Sequence, residues 1–575
     1  MNLKLYNICL LALVLASCAN RGIGPQGGPK DTIPPVPVKS DPENGAVDFH
    51  GKKLTISFNE YIQLADIGSN LLLSPPQQNP PDVKGRGKNV IVQFQDSLRD
   101  STTYTIDFGS AICDYTEKNP LKGYAFAFAT GPTIDTLEAF GRVYDAATLN
   151  PLSGICVGIH SNLADSAFTR ETFLRIAKTD SAGYFRIGNI HPGRYRFYAV
   201  DEVSRDYRLT PGEALGFSDS IVSIQADDTV GTFTSLFLFK EEQQRLHLQR
   251  TLRDEKQKIQ ILFSSSPDSV PQLRVLGDSI RFIPHYSMRR DTVTLWLADS
   301  MSVAQDSIFI EARYRRTDSL FHLEWFTDTL RAIWREPKLT PKAREAQEAE
   351  RRNRRLTIKT NARRGFDVFD TLRLSFGTPV AALLLDSIHL IERTETDTKP
   401  VPFTLLPYDT LPMTLLFQAD LKPGGKYELK LDSATFTDVY GVTHVAANYA
   451  IEVKKIEEYA TLRVLLTQFD PKARIQLLDS KDKVLLDQPA EENGTLFEHL
   501  KPGDFYMRLY IDENGDGRWT TGSWEPKKQA EPIYYFPKKV QTRANWDFEE
   551  TWDHLAVEQT KAKPVELIKA APKKK

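Results

Sequence analysis

Cysteine, charge of one sign and long apolar runs are all scarce in this chain of 575 residues. It carries only 4 cysteines and no Cys-x-x-Cys pair, which excludes a redox motif of that kind and a disulfide framework. Lysine plus arginine number 73 against 75 for aspartate plus glutamate, so overall charge does not select nucleic acid as a partner. Past the N-terminus no apolar run approaches the roughly 20 residues that a membrane-spanning helix needs. Gly-x-Ser-x-Gly, His-Glu-x-x-His and a Gly-rich phosphate loop are missing. The histidines are scattered, and His160, His191, His322, His444 and His499 have no companions at ligand spacing. Carboxylates are too numerous for any pair to stand out as a hydrolytic dyad. The chain therefore reads as a protein that is not an enzyme.

What is present points to strands. Hydrophobic residues make up 41% of the chain, with Phe 31, Tyr 21 and Trp 7. Many sit in runs that alternate with polar residues, as half-buried strands require. Clusters of Gly and Pro punctuate these runs at the spacing typical of β-sandwiches. At about 100–200 residues per domain, three to five domains are expected. The predicted fold class is all-β: tandem sandwiches with one charged helical linker.

Apolar residues do run together at the very start. Leu5 to Leu15, interrupted by Asn7, follows Lys4 and ends in Leu15-Ala16-Ser17-Cys18. This is too short to span a bilayer and fits a secretory signal that is removed. The Leu-Ala-Ser-Cys ending resembles a bacterial lipobox. The resemblance implies loss of residues 1–17 as a signal peptide and acylation of Cys18, leaving the chain anchored by lipid. Residues 18–30 are dense in Gly and Pro and read as a flexible tether. No acidic residue precedes Asp31. In proteobacterial lipoproteins an Asp directly after the lipidated Cys favours the inner membrane, so by analogy the outer membrane is expected here. Its surface and periplasmic faces both stay open.

The modules follow in order. Residues 31–132 contain Pro34-Pro35-Val36, Asp41-Pro42-Glu43-Asn44-Gly45, Ile56-Ser57-Phe58-Asn59-Glu60, Thr103-Tyr104-Thr105-Ile106 and Phe128-Ala129-Thr130-Gly131. This set resembles the bacterial Ig-like domains of surface-layer proteins. Residues 137–238 carry Gly141-Arg142-Val143, Pro151-Leu152-Ser153-Gly154, Thr179-Asp180-Ser181-Ala182-Gly183-Tyr184-Phe185 and His191-Pro192-Gly193-Arg194-Tyr195. That order of motifs is similar to the carboxypeptidase-regulatory, transthyretin-like sandwich. Residues 241–258 are polar, with Leu246, Leu248 and Leu252, and read as a short helix or a connector. Alternation returns over 255–335, an expected Ig-like sandwich. The segment 337–355 is rich in helix formers without an apolar stripe, a solvated helical linker.

Two later segments echo the first two. Residues 356–455 repeat the Ig-like pattern, with Ser433–Asp438 standing for Ser110–Asp114. Residues 458–555 repeat the transthyretin-like one through Leu500-Lys501-Pro502-Gly503 and Tyr506-Met507-Arg508-Leu509-Tyr510. Such a repeat of modules is a strong organisational signal. The remainder, 556–575, is rich in Lys and Pro and is expected to be a disordered basic tail.

Candidate sites are few. Asp512, Asn514 and Asp516 place oxygens at alternate positions before Gly517, the start of a calcium-loop pattern. The pattern then fails, because Ser523 stands where a bidentate Glu is required. Asn-Gly and Asp-Gly also serve plain turns. Calcium and an unmetallated turn are both open on these residues, and no cofactor is required. Trp519 and Trp524 are candidate binding aromatics for a glycan, with burial in a sandwich core as the alternative. Cys113 and Cys156 could pair, or serve as two small buried thiols.

The whole chain resembles multidomain Ig-like lipoproteins of Bacteroidota. The likeness runs from the lipobox through Gly27-Gly28-Pro29-Lys30-Asp31-Thr32 to Arg543-Ala544-Asn545-Trp546-Asp547. It implies a lipid-anchored scaffold or interaction subunit at the outer membrane, with an outer-membrane protein as partner. The alternative is a glycan-binding lipoprotein.

Overall fold

The computed structural model describes residues 31–569 except 227–231, 243–245, 278–279, 288, 299, 319–322, 337–339, 396 and 408–412. The signal peptide, Cys18, the tether, His322 and residues 570–575 lie outside the described residues. The regular secondary structure of the described chain is almost wholly strand, in small sheets, so the all-β expectation holds. It divides into two compact units, with 239–569 forming the bulk of the second.

In the first unit, one sheet orders Pro37–Asp41, Lys53–Phe58, Asn89–Gln93 and Asp82–Arg86. It faces a sheet of Leu72–Ser74, Thr103–Asp107 and Ala125–Ala129. Alternation drives the packing: Leu54, Ile56 and Phe58 turn inward, as do Phe126 and Phe128 between small alanines. Tyr104 completes this core, its ring stacked on Phe128 while its hydroxyl accepts the Arg99 N–H at 2.8 Å.

The next sandwich pairs Leu137–Asp145 antiparallel with Tyr184–Ile190 and parallel with Thr232–Leu238. Its second sheet runs Arg175–Lys178, Cys156–His160, Gly193–Val200 and Leu215–Phe217. Gly141 in the Gly-x-Val motif has a packing reason. A Cβ there would lie 2.2 Å from the Phe185 ring and 2.1 Å from the Thr234 carbonyl oxygen. Polar contacts join the two sandwiches: Ser74 Oγ accepts the Ile176 N–H at 3.1 Å, Thr105 donates to Asn189 Oδ1 at 2.9 Å, and Lys178 donates to the Ser69 carbonyl at 3.0 Å. Cys113 and Cys156 are both buried and both free, so the disulfide alternative is not formed.

The second unit begins with a sandwich whose sheets are Leu248–Glu255, Lys258–Phe263, Thr292–Leu297, Phe282–Tyr286 and Gln272–Leu276, Ser307–Thr317, Leu323–Ile333. Its first strand corrects the reading of 241–258 as helix or connector. The segment is polar in composition, but Leu246 and Leu248 pack on the core of this sandwich and Leu248–Glu255 forms an edge strand of its sheet. Arg253 is its buried member, donating to the carbonyls of Lys256 and Gln305.

The expected charged helix follows at Pro341–Arg352. Then comes an Ig-like sandwich with the order Ile358–Thr360, Leu372–Phe376, Thr414–Ala419, Phe403–Pro407 in one sheet. The first Ig-like module has the same order in its corresponding sheet. Their shared devices extend to side chains. Tyr427 accepts the Lys422 N–H at 2.8 Å, matching Tyr104 with Arg99. Asp438 accepts the N–H groups of Tyr440 and Val442, much as Asp114 accepts those of Glu117, Lys118 and Asn119.

The last sandwich pairs Ala460–Leu466 antiparallel with Thr495–Leu500 and parallel with Asp547–Trp552. Val484–Pro489, Ala473–Leu478, Gly503–Ile511 and Ile533–Tyr535 form its other sheet. Residues 556–569 do not form the loose tail that composition suggested. Leu567 is 1% exposed, and Lys563 Nζ reaches Asp482 Oδ2 at 2.8 Å, both side chains buried. Lys-rich composition predicts solvation, but here Lys563 lies over the Tyr535 ring at 4.7 Å, inside the fold.

Candidate functional site

The loop between Gly503–Ile511 and Ile533–Tyr535 carries most of the residues singled out from the sequence. The chain turns sharply at Gly515 and Gly517, whose φ values of 71° and 76° favour glycine. Asp512 is buried beneath this turn and accepts the N–H groups of Gly515, Asp516 and Gly517 at 2.7, 3.1 and 2.9 Å. Asn514 Oδ1 accepts the Asp516 N–H at 3.0 Å, and Asp516 Oδ1 accepts the Arg518 N–H at 2.8 Å. The structure therefore brings Asp512, Asn514 and Asp516 together, and their oxygens cap the loop's own backbone. Among the described residues no group of three or more His, Cys, Asp or Glu side chains is placed to hold a metal ion.

The residue that sequence reasoning missed in this loop is Glu531. It is 2% exposed and accepts the N–H groups of Glu513 and Thr520 at 2.9 and 2.8 Å. Burial pushes its pKa up, the N–H donors of Thr520 and Glu513 pull against that, and the charge of Asp512 adds to the rise. The signal was available in the repeat. Glu213 stands two residues before Leu215–Phe217 as Glu531 stands two before Ile533–Tyr535. Glu213 likewise accepts two loop N–H groups, from Val203 and Thr210, each at 3.1 Å.

The tryptophans are separated by this geometry. Trp519 is half-buried and donates its indole N–H to the Glu531 carbonyl at 2.9 Å. Trp524 is 7% exposed, its backbone N–H held by Glu241 and its ring covered by Lys527 at 5.3 Å. Both are less exposed than Trp546, which is 57% exposed.

A second constellation joins the last two sandwiches. Asp367 is buried and accepts the Tyr459 hydroxyl at 2.9 Å, while Lys454, Lys501 and Arg363 approach it at 3.0, 2.8 and 3.1 Å. Burial acts to raise its pKa, but hydrogen bonds from Lys501, Lys454 and Tyr459 overcome this and hold the carboxyl well below its usual range. Each carboxylate oxygen faces two donors, Lys454 and Tyr459 at one and Lys501 and Arg363 at the other, so the arrangement is a fastening rather than a reactive centre. No local motif announces it, because Lys454, Tyr459 and Lys501 lie far along the chain from Asp367.

Comparison with known proteins agrees with the first module. Residues 31–130 match the family model described as a bacterial Ig-like domain. No curated protein matches the chain. Solved structures similar to it include BcpA, the major pilin subunit of Bacillus cereus, at 9% identity, covering 73% of this chain and 99% of that one with a TM-score of 0.13. The S-layer protein rSbsC(31-844) is 9% identical over 87% of this chain and 66% of that one, TM-score 0.13. An L,D-transpeptidase from Mycobacterium smegmatis is 12% identical over 36% of this chain and 90% of that one, TM-score 0.13. Values this low carry no inference about function.

Proposed function

We propose that this chain is a non-enzymatic scaffold or interaction subunit, lipid-anchored through Cys18 at the outer membrane of a Bacteroidota bacterium. On this reading it serves a protein assembly, secretion or uptake complex and contacts an outer-membrane protein. The observation that carries the reading is the sequence order at the N-terminus. A lipobox-like Leu15-Ala16-Ser17-Cys18 precedes a short Gly/Pro tether, and a bacterial Ig-like module starts at residue 31. Sandwiches of this kind host many functions, so the fold supports the architecture and not the partner. The fastening at Asp367 fits a role in which modules are held as a stiff support.

Metabolic labelling with palmitate tests the anchor. Label is expected in the wild-type chain and absent from Cys18→Ala, which partitions into the aqueous phase on detergent extraction. Mild detergent extraction followed by affinity purification tests the partner. Recovery of the chain alone and monomeric would overturn the scaffold reading.

A further inference from the structure

The first unit contains a cleft that no sequence pattern marks. It opens between the loops of its two sandwiches and has a volume of about 630 Å³. Gln77 lines it, and the side-chain oxygen and nitrogen of Gln77 are both buried without a hydrogen-bond partner. Leaving a buried polar group unmatched costs about 1–3 kcal/mol. Native proteins keep such groups where something else completes them.

The charges around the cleft are also unbalanced. Asp96 is satisfied by Asn79, which binds it through its backbone N–H at 2.8 Å and its side-chain amide at 2.7 Å. Asp206 is satisfied by Arg208 at 2.9 Å and by the Ser204 hydroxyl at 2.8 Å. Arg99 and Arg205 line the same cleft, and among the described residues neither guanidinium has a carboxylate partner. Arg175 lies near Arg99 but outside the lining, 5% exposed and ion-paired with Asp135 at 3.6 Å, with its Nη1 unpartnered. Burial lowers the pKa of Arg175, Asp135 partly restores it, and Arg99 lowers it again. Arg99, Arg205 and Arg208 against Asp96 and Asp206 thus leave the lining of the cleft with one net positive charge.

We propose that this cleft binds an anionic sugar, a hydroxyl-rich ligand of one or two rings carrying a carboxylate or a phosphate. Its volume falls in the range of small-molecule sites, about 300–1,000 Å³. Guanidinium forks suit planar or tetrahedral oxyanions. The amide of Gln77 and the hydroxyls of Ser97 and Thr172 suit sugar hydroxyls, which both donate and accept. The ring of Tyr207 supplies an apolar surface for a sugar's C–H face. An apolar ligand finds little to contact here. The proposal is independent of the lipid anchor and of the Trp519 and Trp524 region.

Isothermal titration of the purified full chain tests it, using glucuronate, glucose 6-phosphate, glucose and inorganic phosphate. Saturable binding of glucuronate or glucose 6-phosphate is expected, with glucose weaker by about tenfold or more. Preference for the first marks a uronic-acid glycan as the source, and preference for the second a phosphorylated one. Arg205→Gln and Arg99→Gln are each expected to weaken binding about tenfold, and Gln77→Met to do so while the melting midpoint of the free chain rises, since the unmatched amide is gone. Three results would overturn the proposal: no saturation by either acidic sugar, undiminished affinity in both arginine variants, or inorganic phosphate binding as tightly as glucose 6-phosphate.

Discussion

The second and the last sandwich have the same strand order, including a parallel pairing of first and last strands, yet they treat one loop differently. In the earlier copy the loop runs from Asp201 to Thr210 and is gathered around Glu202, which accepts the N–H groups of Arg205 and Tyr207. In the later copy Asp512 takes that part and caps a turn rich in glycine. What is kept is the buried glutamate ahead of the next strand, Glu213 in one and Glu531 in the other. The conserved device between the copies is thus an acceptor that fixes the loop's exit. The variable device is the acceptor that folds its tip. A second difference lies outside the loop, since the later copy alone is braced by the buried Lys563–Asp482 pair.

That brace offers the largest way to break the comparison. Asp482→Asn or Lys563→Met leaves one buried partner uncompensated, and a loss of about 3–5 kcal/mol is expected. Limited proteolysis should then release fragments of the 460–569 region first. Equal sensitivity of the 137–238 region would count against a local brace. The double replacement Asp482→Leu with Lys563→Met should recover much of the loss, because an apolar pair of similar size does not leave a charge stranded.

Replacing the shared glutamates comes next in size. Glu531→Ala strands the Glu513 and Thr520 N–H groups, and a cost of about 1–3 kcal/mol is expected. Glu213→Ala should cost a similar amount. Denaturant titration of both variants measures the ratio, and a silent Glu213→Ala would mean the two glutamates are not equivalent.

The junctions sharpen the contrast between the units. The Ser74 and Thr105 contacts are neutral, whereas Asp367 is ionised and clasped by cations. A carboxyl with a depressed folded pKa contributes stability in full above its unfolded value, about 3.9, and loses it as pH falls toward the folded value. Acidification below about pH 4 should therefore weaken the junction that Asp367 holds in the second unit. Asp367→Asn should flatten that pH dependence while lowering stability at neutral pH by about 1–3 kcal/mol. Hydrogen exchange of the Val368 and Tyr459 amides across pH reports it. The same acid response in the variant would remove Asp367 from the explanation.

The smallest effect concerns calcium. Because the oxygens of Asp512, Asn514 and Asp516 already serve the loop's N–H groups, excess calcium is expected to leave the melting midpoint unmoved. A rise with calcium that disappears in Asp516→Ala would restore the metal reading.

Alternation made the sandwiches legible in the sequence, since Leu54, Ile56 and Phe58 or Phe126 and Phe128 can face only one way. The turn signals Pro192-Gly193 and Pro502-Gly503, each followed by an aromatic strand, made the repeat legible as well. Leu248–Glu255 escaped because an edge strand needs little apolar alternation, and its buried member is an arginine. Asp367 and Lys563 escaped for another reason. Their partners are distant in the chain, and only folding shows that a surface-type residue has been enclosed. The cleft around Gln77 combines segments about Gln77, Arg99 and Arg205, none of which carries a motif of its own.

The parallel pairing of first and last strands in these two sandwiches has a mechanical consequence. The chain enters at one end of the Leu137–Asp145 strand and leaves at the opposite end of Thr232–Leu238, and the same holds for Ala460–Leu466 with Asp547–Trp552. A pull on the two termini of such a module loads the paired strands in shear, so the ladder hydrogen bonds must yield together rather than unzip singly. A chain fixed at one end and gripped at the other would pass tension through its most resistant direction.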